Sequence, residues 1–125
     1  MCKNRRILIV EDEALIALDI LTNLSRYGFS DIDTAYSPLE TLDKCIKNPP
    51  DLVLMDINLG DGPDGIDLVK KIRESGILSS IIYMTSYSNQ KIKSRAMETG
   101  FVAYILKPYT DKDLISSVKK AFAVL

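Results

Sequence analysis

Asp51-Leu52-Val53-Leu54-Met55-Asp56 is the stretch that decides the fold. Four apolar residues in a row stand between two acids, too few for a helix and without the alternation of a half-exposed strand. Such a run suits a strand of a parallel sheet, buried on both faces. Arg6–Val10, Ile81–Met84 and Val102–Leu106 read the same way. Ile32–Tyr36 is more polar and reads as an edge strand.

Helical patterns lie between these runs. Glu13–Tyr27 carries Ala14, Ala17, Leu18, Leu21 and Leu24 on one face, and Gly28 can end it. Ser37-Pro38-Leu39-Glu40 reads as a capping box with proline at the first helical position, opening a helix to about Lys47. Asp64–Glu74 and Asn89–Thr99 form the third and fourth helices, each followed by a glycine. Thr110–Phe122 forms the fifth, with Thr110 as cap and Asp113 three residues on. The spacing therefore predicts an α/β fold: an open, doubly wound sheet of five parallel strands with five helices on its two faces. Folds of this kind have strand order 2-1-3-4-5, although spacing alone does not select that order over others.

The 125 residues fit one domain spanning 1–125. A chain of this size buries roughly two-thirds of its unfolded surface and needs no staple. A net charge of −1, with acids and bases interspersed, gives no electrostatic case for nucleic acid or an anionic membrane as a direct partner. Two cysteines, Cys2 and Cys45, are too few for a disulfide framework, and Cys45 reads as a reduced thiol on a helix. No apolar run approaches membrane-spanning length and the first residues are not a signal peptide, so a cytoplasmic address is expected.

In open parallel sheets ligands sit at the carboxyl ends of the strands. There the first strand delivers Glu11-Asp12, the third Asp56, the fourth Thr85-Ser86 and the fifth Lys107-Pro108. Each has an ordinary explanation alone: acids at a helix start, a polar strand end, a solvated lysine. Their convergence changes the reading. Carboxylates gathered together repel unless a counter-charge intervenes. Oxygen ligands with no histidine in the chain fit magnesium and argue against zinc. A carboxylate can also attack phosphorus to give an aspartyl phosphate, a reaction that needs its equatorial charge neutralised. Asp56 is the candidate nucleophile, with Lys107 to bind the phosphoryl group and Thr85 to donate a hydrogen bond to it. Asn58 stands over the same edge and can offer a backbone carbonyl to the metal.

Ile7-Leu8-Ile9-Val10-Glu11-Asp12, Asp51–Asp56, Thr85-Ser86 and Tyr104-Ile105-Leu106-Lys107-Pro108 together resemble the receiver domain of two-component response regulators, along nearly the whole chain. The resemblance implies that Asp56 is the phosphoacceptor and that Asp12 is a direct magnesium ligand. It implies that Glu11 acts mainly through a bound water and that Asn58 is the carbonyl ligand. Thr85 becomes the switch hydroxyl, Lys107 the phosphate-binding lysine and Tyr104 the switch aromatic, and the Lys107–Pro108 peptide is expected to be cis. Thr85 moving toward the phosphoryl group would free space for the Tyr104 ring and alter the surface of helix 4, strand 5 and helix 5. The donor would be a sensor histidine kinase or a phosphotransfer protein. A downstream partner, or a second copy forming a homodimer, would read the switched surface.

Two features depart from the common pattern. The segment Leu59-Gly60-Asp61-Gly62-Pro63-Asp64-Gly65 is richer in glycine, one residue longer than the commonest form, and lacks the usual Met-Pro pair. Tyr87 is a bulky neighbour of the site, so both features bear on phosphoryl lifetime. On the first helix Leu15 falls in the polar sector, with Ile16 and Ile20 at the rim of the core face, and Leu15 and Ile16 are candidate docking residues for the phosphodonor. Three rivals stand beside this reading. One is a receiver-like binding module that is never phosphorylated. The second, a flavin or nucleotide binder, would want glycine or hydroxyls where Glu11-Asp12-Glu13 stands. The third, an aspartyl phosphatase, would want a second acid where Asn58 stands. The stretch ends directly after the fifth helix, which leaves a stand-alone receiver, a relay intermediate and a domain of a longer regulator all open.

Overall fold

A computed structural model describes residues 5–60 and 62–123. Strands and helices alternate throughout: β1 Ile7–Val10, α1 Ala14–Arg26, β2 Ile32–Ala35, α2 Pro38–Lys47, β3 Leu52–Asp56, α3 Gly65–Glu74, β4 Ser80–Thr85, α4 Gln90–Thr99, β5 Ala103–Leu106 and α5 Asp111–Ala123. All strand pairs are parallel and the order is β2-β1-β3-β4-β5. This is the expected order, with β2 on an edge and only half-buried over most of its length.

The continuous apolar runs are explained by two cores. Successive side chains on a strand point to opposite faces. Ile7, Ile9, Leu52, Leu54, Ile82 and Met84 pack with α1 and α5 on one face. Leu8, Val10, Val53, Met55, Ile81 and Tyr83 pack with residues of α2, α3 and α4 on the other.

The buried face of α1 differs from the expected one. Ala17, Ile20 and Leu24 are buried, whereas Leu18 is 56% exposed. Ile20 is therefore a core residue and Leu18 a surface one. The helix is apolar around most of its circumference, so several phases satisfy a helical period and only packing selects among them. Leu15, at 82% exposed, lies where it was expected.

Caps fix where the helices begin. The Ser37 hydroxyl accepts from the Glu40 amide at 3.2 Å, but the Glu40 carboxylate takes the Tyr36 amide rather than closing the box on Ser37. Full capping boxes occur at Asp64 with Asp67 and at Thr110 with Asp113. Cys45 is buried and free, and burial pushes its thiol up to about 11, as suits an inert core residue. Cys2 lies outside the described residues. Among the described residues no helix is long and apolar enough to cross a membrane.

Candidate functional site

The sheet brings the predicted groups to one edge because β1, β3, β4 and β5 all end there. β1 and β3 run in register, pairing Val10 with Met55, so the acids that follow them emerge side by side. Carboxylate oxygens of Glu11, Asp12 and Asp56 lie within 4.8 Å of one another. Glu11 and Asp56 are buried, while Asp12 is exposed at the mouth. Between the strand ends lies a polar cavity of about 190 Å³, lined by Glu11, Asp12, Glu13, Asp56, Asn58, Thr85, Ser86, Tyr87 and Lys107.

Lys107 reaches across this cavity. Its ammonium lies 3.2 Å from Asp56 Oδ2 and 3.4 Å from Glu11 Oε2. Its backbone amide donates to the Thr85 carbonyl at 2.8 Å, and the following Lys107–Pro108 peptide is cis as expected. The other Asp56 oxygen, Oδ1, accepts from the Asn58 amide at 3.2 Å. Thr85 is buried, and its hydroxyl accepts from the Tyr87 amide at 3.1 Å. The Tyr104 hydroxyl donates to the Tyr87 carbonyl at 2.8 Å, so Tyr87 bonds both Thr85 and Tyr104 through its backbone.

Burial pushes the Glu11 carboxyl up to about 8, and the neighbouring Asp56 charge pushes the same way against Lys107. Burial pulls the Lys107 ammonium down, but Asp56 and Glu11 outweigh it and the group ends above its ordinary value. One lysine thus faces a cluster of acids that it does not fully neutralise. A hard divalent cation fits that deficit and the all-oxygen donor set. Glu11, Asp12, Asp56 and the Asn58 carbonyl are the groups available to it.

A second, more open groove of about 430 Å³ adjoins the cavity through shared Ser86 and Lys107. Ile16, Asp19, Ile20, Pro108, Tyr109 and Asp111 complete its lining. Ile16 therefore borders the site, whereas Leu15 does not line this groove. Sequence reasoning missed Tyr109 and Asp19 here, and it missed the role of Gly65. A Cβ at Gly65 would collide with the Asp56 carbonyl oxygen. The helix start of α3 is thus pressed against the backbone of the central acid, with the Gly65 amide donating to the Ile57 carbonyl at 2.8 Å. The signal available was a glycine at the first position of a helix, where alanine would be the better former.

The response regulator receiver domain pattern matches residues 7–119. The transcriptional regulatory protein PdtaR of Mycobacterium tuberculosis is 35% identical over 117 residues, covering 94% of this chain and 56% of the relative. The alkaline phosphatase synthesis transcriptional regulatory protein PhoP of Bacillus subtilis is 32% identical over 116 residues, covering 93% of this chain and 48% of the relative. The chain thus spans about half the length of these curated relatives. A CheY-like response regulator receiver domain protein from Methanospirillum hungatei superposes with a TM-score of 0.90 at 28% identity, covering 98% of this chain and 96% of that one. With its sheet order, its strand-end acids and lysine and this match along nearly its whole length, the chain belongs to the response regulator receiver domain family.

Proposed function

We propose that the chain is a phosphoacceptor switch in which Asp56 takes a phosphoryl group from a phosphohistidine of a sensor histidine kinase or phosphotransfer protein. The observation that carries this reading is the buried Asp56 carboxylate, 3.2 Å from the Lys107 ammonium and grouped with Glu11 and Asp12. An Asp56 oxygen attacks phosphorus, the phosphorus–nitrogen bond breaks, and the departing imidazole takes a proton from solvent. Lys107 pairs with the phosphoryl oxygens, and the Thr85 hydroxyl, with Ser86 beside it, donates to them. Glu11, Asp12, Asp56 and Asn58 hold magnesium, which when bound offsets the charge of the carboxylates and the phosphoryl group. The chain catalyses only its own phosphorylation and dephosphorylation, in the cytoplasm.

The signal leaves through α4, β5 and α5. Thr85, drawn to the phosphoryl group, releases the Tyr87 amide it now accepts from, and Tyr104 follows through its bond to the Tyr87 carbonyl. Met97, 61% exposed, and Leu106, 46% exposed, give this face an apolar surface for a downstream partner or a second copy. Sedimentation of the phosphorylated and unphosphorylated chain reports the homodimer. Leu15 and Ile16 on α1 are proposed to dock the donor, joined now by exposed Leu18. Charged substitutions at Leu15 and Ile16 are expected to slow transfer from the cognate kinase, and full-rate transfer would sink that assignment.

Intact mass tests the switch. With acetyl phosphate and magnesium the wild type should gain one phosphoryl group, and neither Asp56→Asn nor the wild type without magnesium should. No gain in the wild type, with magnesium bound and hydrolysis too slow to hide it, would mean a binding module that is never phosphorylated.

A further inference from the structure

Helix α4 has little hold on the core. Ala96 is its one buried residue among those described, with Ile92 partly packed. Its remaining ties to the neighbouring helix are polar. Arg95 forks onto the start of α3: Nη1 donates to Asp64 Oδ2 at 3.0 Å, and Nη2 donates to Asp64 Oδ1 at 3.3 Å and Asp67 Oδ1 at 3.1 Å. At the far end of α4, Arg73 donates to the Thr99 and Gly100 carbonyls, both at 3.4 Å. The Tyr83 and Thr99 hydroxyls are bonded at 2.7 Å.

The two acids gripped by Arg95 are the capping box of α3. They stand at the end of the segment that leaves Asp56. Gly65, next to Asp64, is seated against the Asp56 carbonyl and bonded to Ile57. A short chain of contacts therefore runs from Asp56 through the α3 cap to the middle of α4, apart from Thr85 and Tyr104.

We propose that Arg95, forked onto the Asp64–Asp67 cap, is a latch that holds α4 against α3 and ties its position to the segment leaving Asp56. The planar guanidinium meets Asp64 with two bonds, which fixes direction as well as charge and which a lysine cannot reproduce. The side chains are 35% exposed at Arg95, 30% at Asp64 and 46% at Asp67. Water reaches the latch, so it is weak enough to open, unlike a tie sealed in the core. Movement of the α3 cap when Asp56 changes state shifts both carboxylates and loosens the hold on α4. That consequence for signalling rests on the proposed function; the latch itself does not.

Native-state hydrogen exchange on the full chain, without phosphoryl donor or magnesium, tests it. Arg95→Ala is expected to speed exchange of the α4 amides about fivefold relative to those of β1 and β3. Arg95→Lys should fall between alanine and wild type. Alanine is at least as good a helix former as arginine, so propensity alone predicts no faster exchange. Unchanged or slower α4 exchange would overturn the latch. So would an equal acceleration in every element, which would mean a general loss of stability. Failure of Asp56 to accept a phosphoryl group would leave this result untouched.

Discussion

Helices α4 and α5 lie on opposite faces of the sheet and are anchored by different means. α5 buries Leu114, Ile115, Val118 and Ala121, whereas α4 buries Ala96 alone among its described residues. α5 is fixed mainly by apolar area, which has no direction and does not respond to a charge event, with one polar tie where Asn23 Nδ2 donates to Asp111 at 2.7 Å. α4 is fixed by hydrogen bonds and an ion pair from α3, which are directional and sensitive to their partners' positions. The difference teaches where a switch can reside. A helix sealed into the core moves only if the core opens, whereas a helix held by polar ties moves when the ties are re-aimed. Both border the surface proposed to signal, but α4, with little buried apolar area, has more of the attachments of a moving part.

The largest effect is expected on the apolar side. Leu114→Ala should cost about 3 kcal/mol of global stability in urea denaturation, because it empties a fully buried site. A loss no greater than that from an exposed α4 residue such as Met97 would mean that α5 is not core-anchored. Next in size is Gly65→Ala, which drives a methyl into the Asp56 carbonyl and should cost about 2 kcal/mol. The same variant should phosphorylate more slowly, since α3 can no longer seat against the acceptor strand. Normal stability and normal phosphorylation would show that the seat is slack.

The smallest effect is the most specific to the polar side. Burial pushes the Asp64 carboxyl up, but the bonds from Arg95 and from backbone amides outweigh it, and the group ends below its ordinary value. A depressed carboxyl stabilises the fold fully above its unfolded value. That contribution is lost as the pH falls through the lower folded-state value, so the latch should open only in acid. Carboxyl-carbon titration by NMR should place the wild-type Asp64 midpoint below that of an unperturbed aspartate. In Arg95→Ala the midpoint should rise, because burial then acts with less opposition. An unmoved midpoint would show that Arg95 contributes nothing to the cap.

How legible each region was follows the same division. The strands could be read because burial on both faces forces unbroken apolar runs such as Leu52–Met55. The strand-end acids and Lys107 could be read because the topology itself converges them. The phase of α1 could not, since Leu18 and Ile20 are equally apolar and only the packing of Ala17, Ile20 and Leu24 separates them. Gly65 reads locally as a loop or cap glycine, and its reason is a contact with Asp56 across the turn. Arg95 carries no local signal, because its partners Asp64 and Asp67 lie 31 and 28 residues away. Core anchoring leaves a periodic imprint on sequence, and polar tethering between helices does not.

The phosphoryl group is expected on Asp56. Borohydride reduces an acyl phosphate to an alcohol, so treating the phosphorylated chain and sequencing its peptides by mass spectrometry reads the modified position. Homoserine is expected at position 56 alone, formed only with magnesium and absent without phosphodonor. Homoserine at Asp12 or 5-hydroxynorvaline at Glu11 instead, or phosphate retained on a hydroxyl such as Thr85 or Ser86, would contradict that assignment.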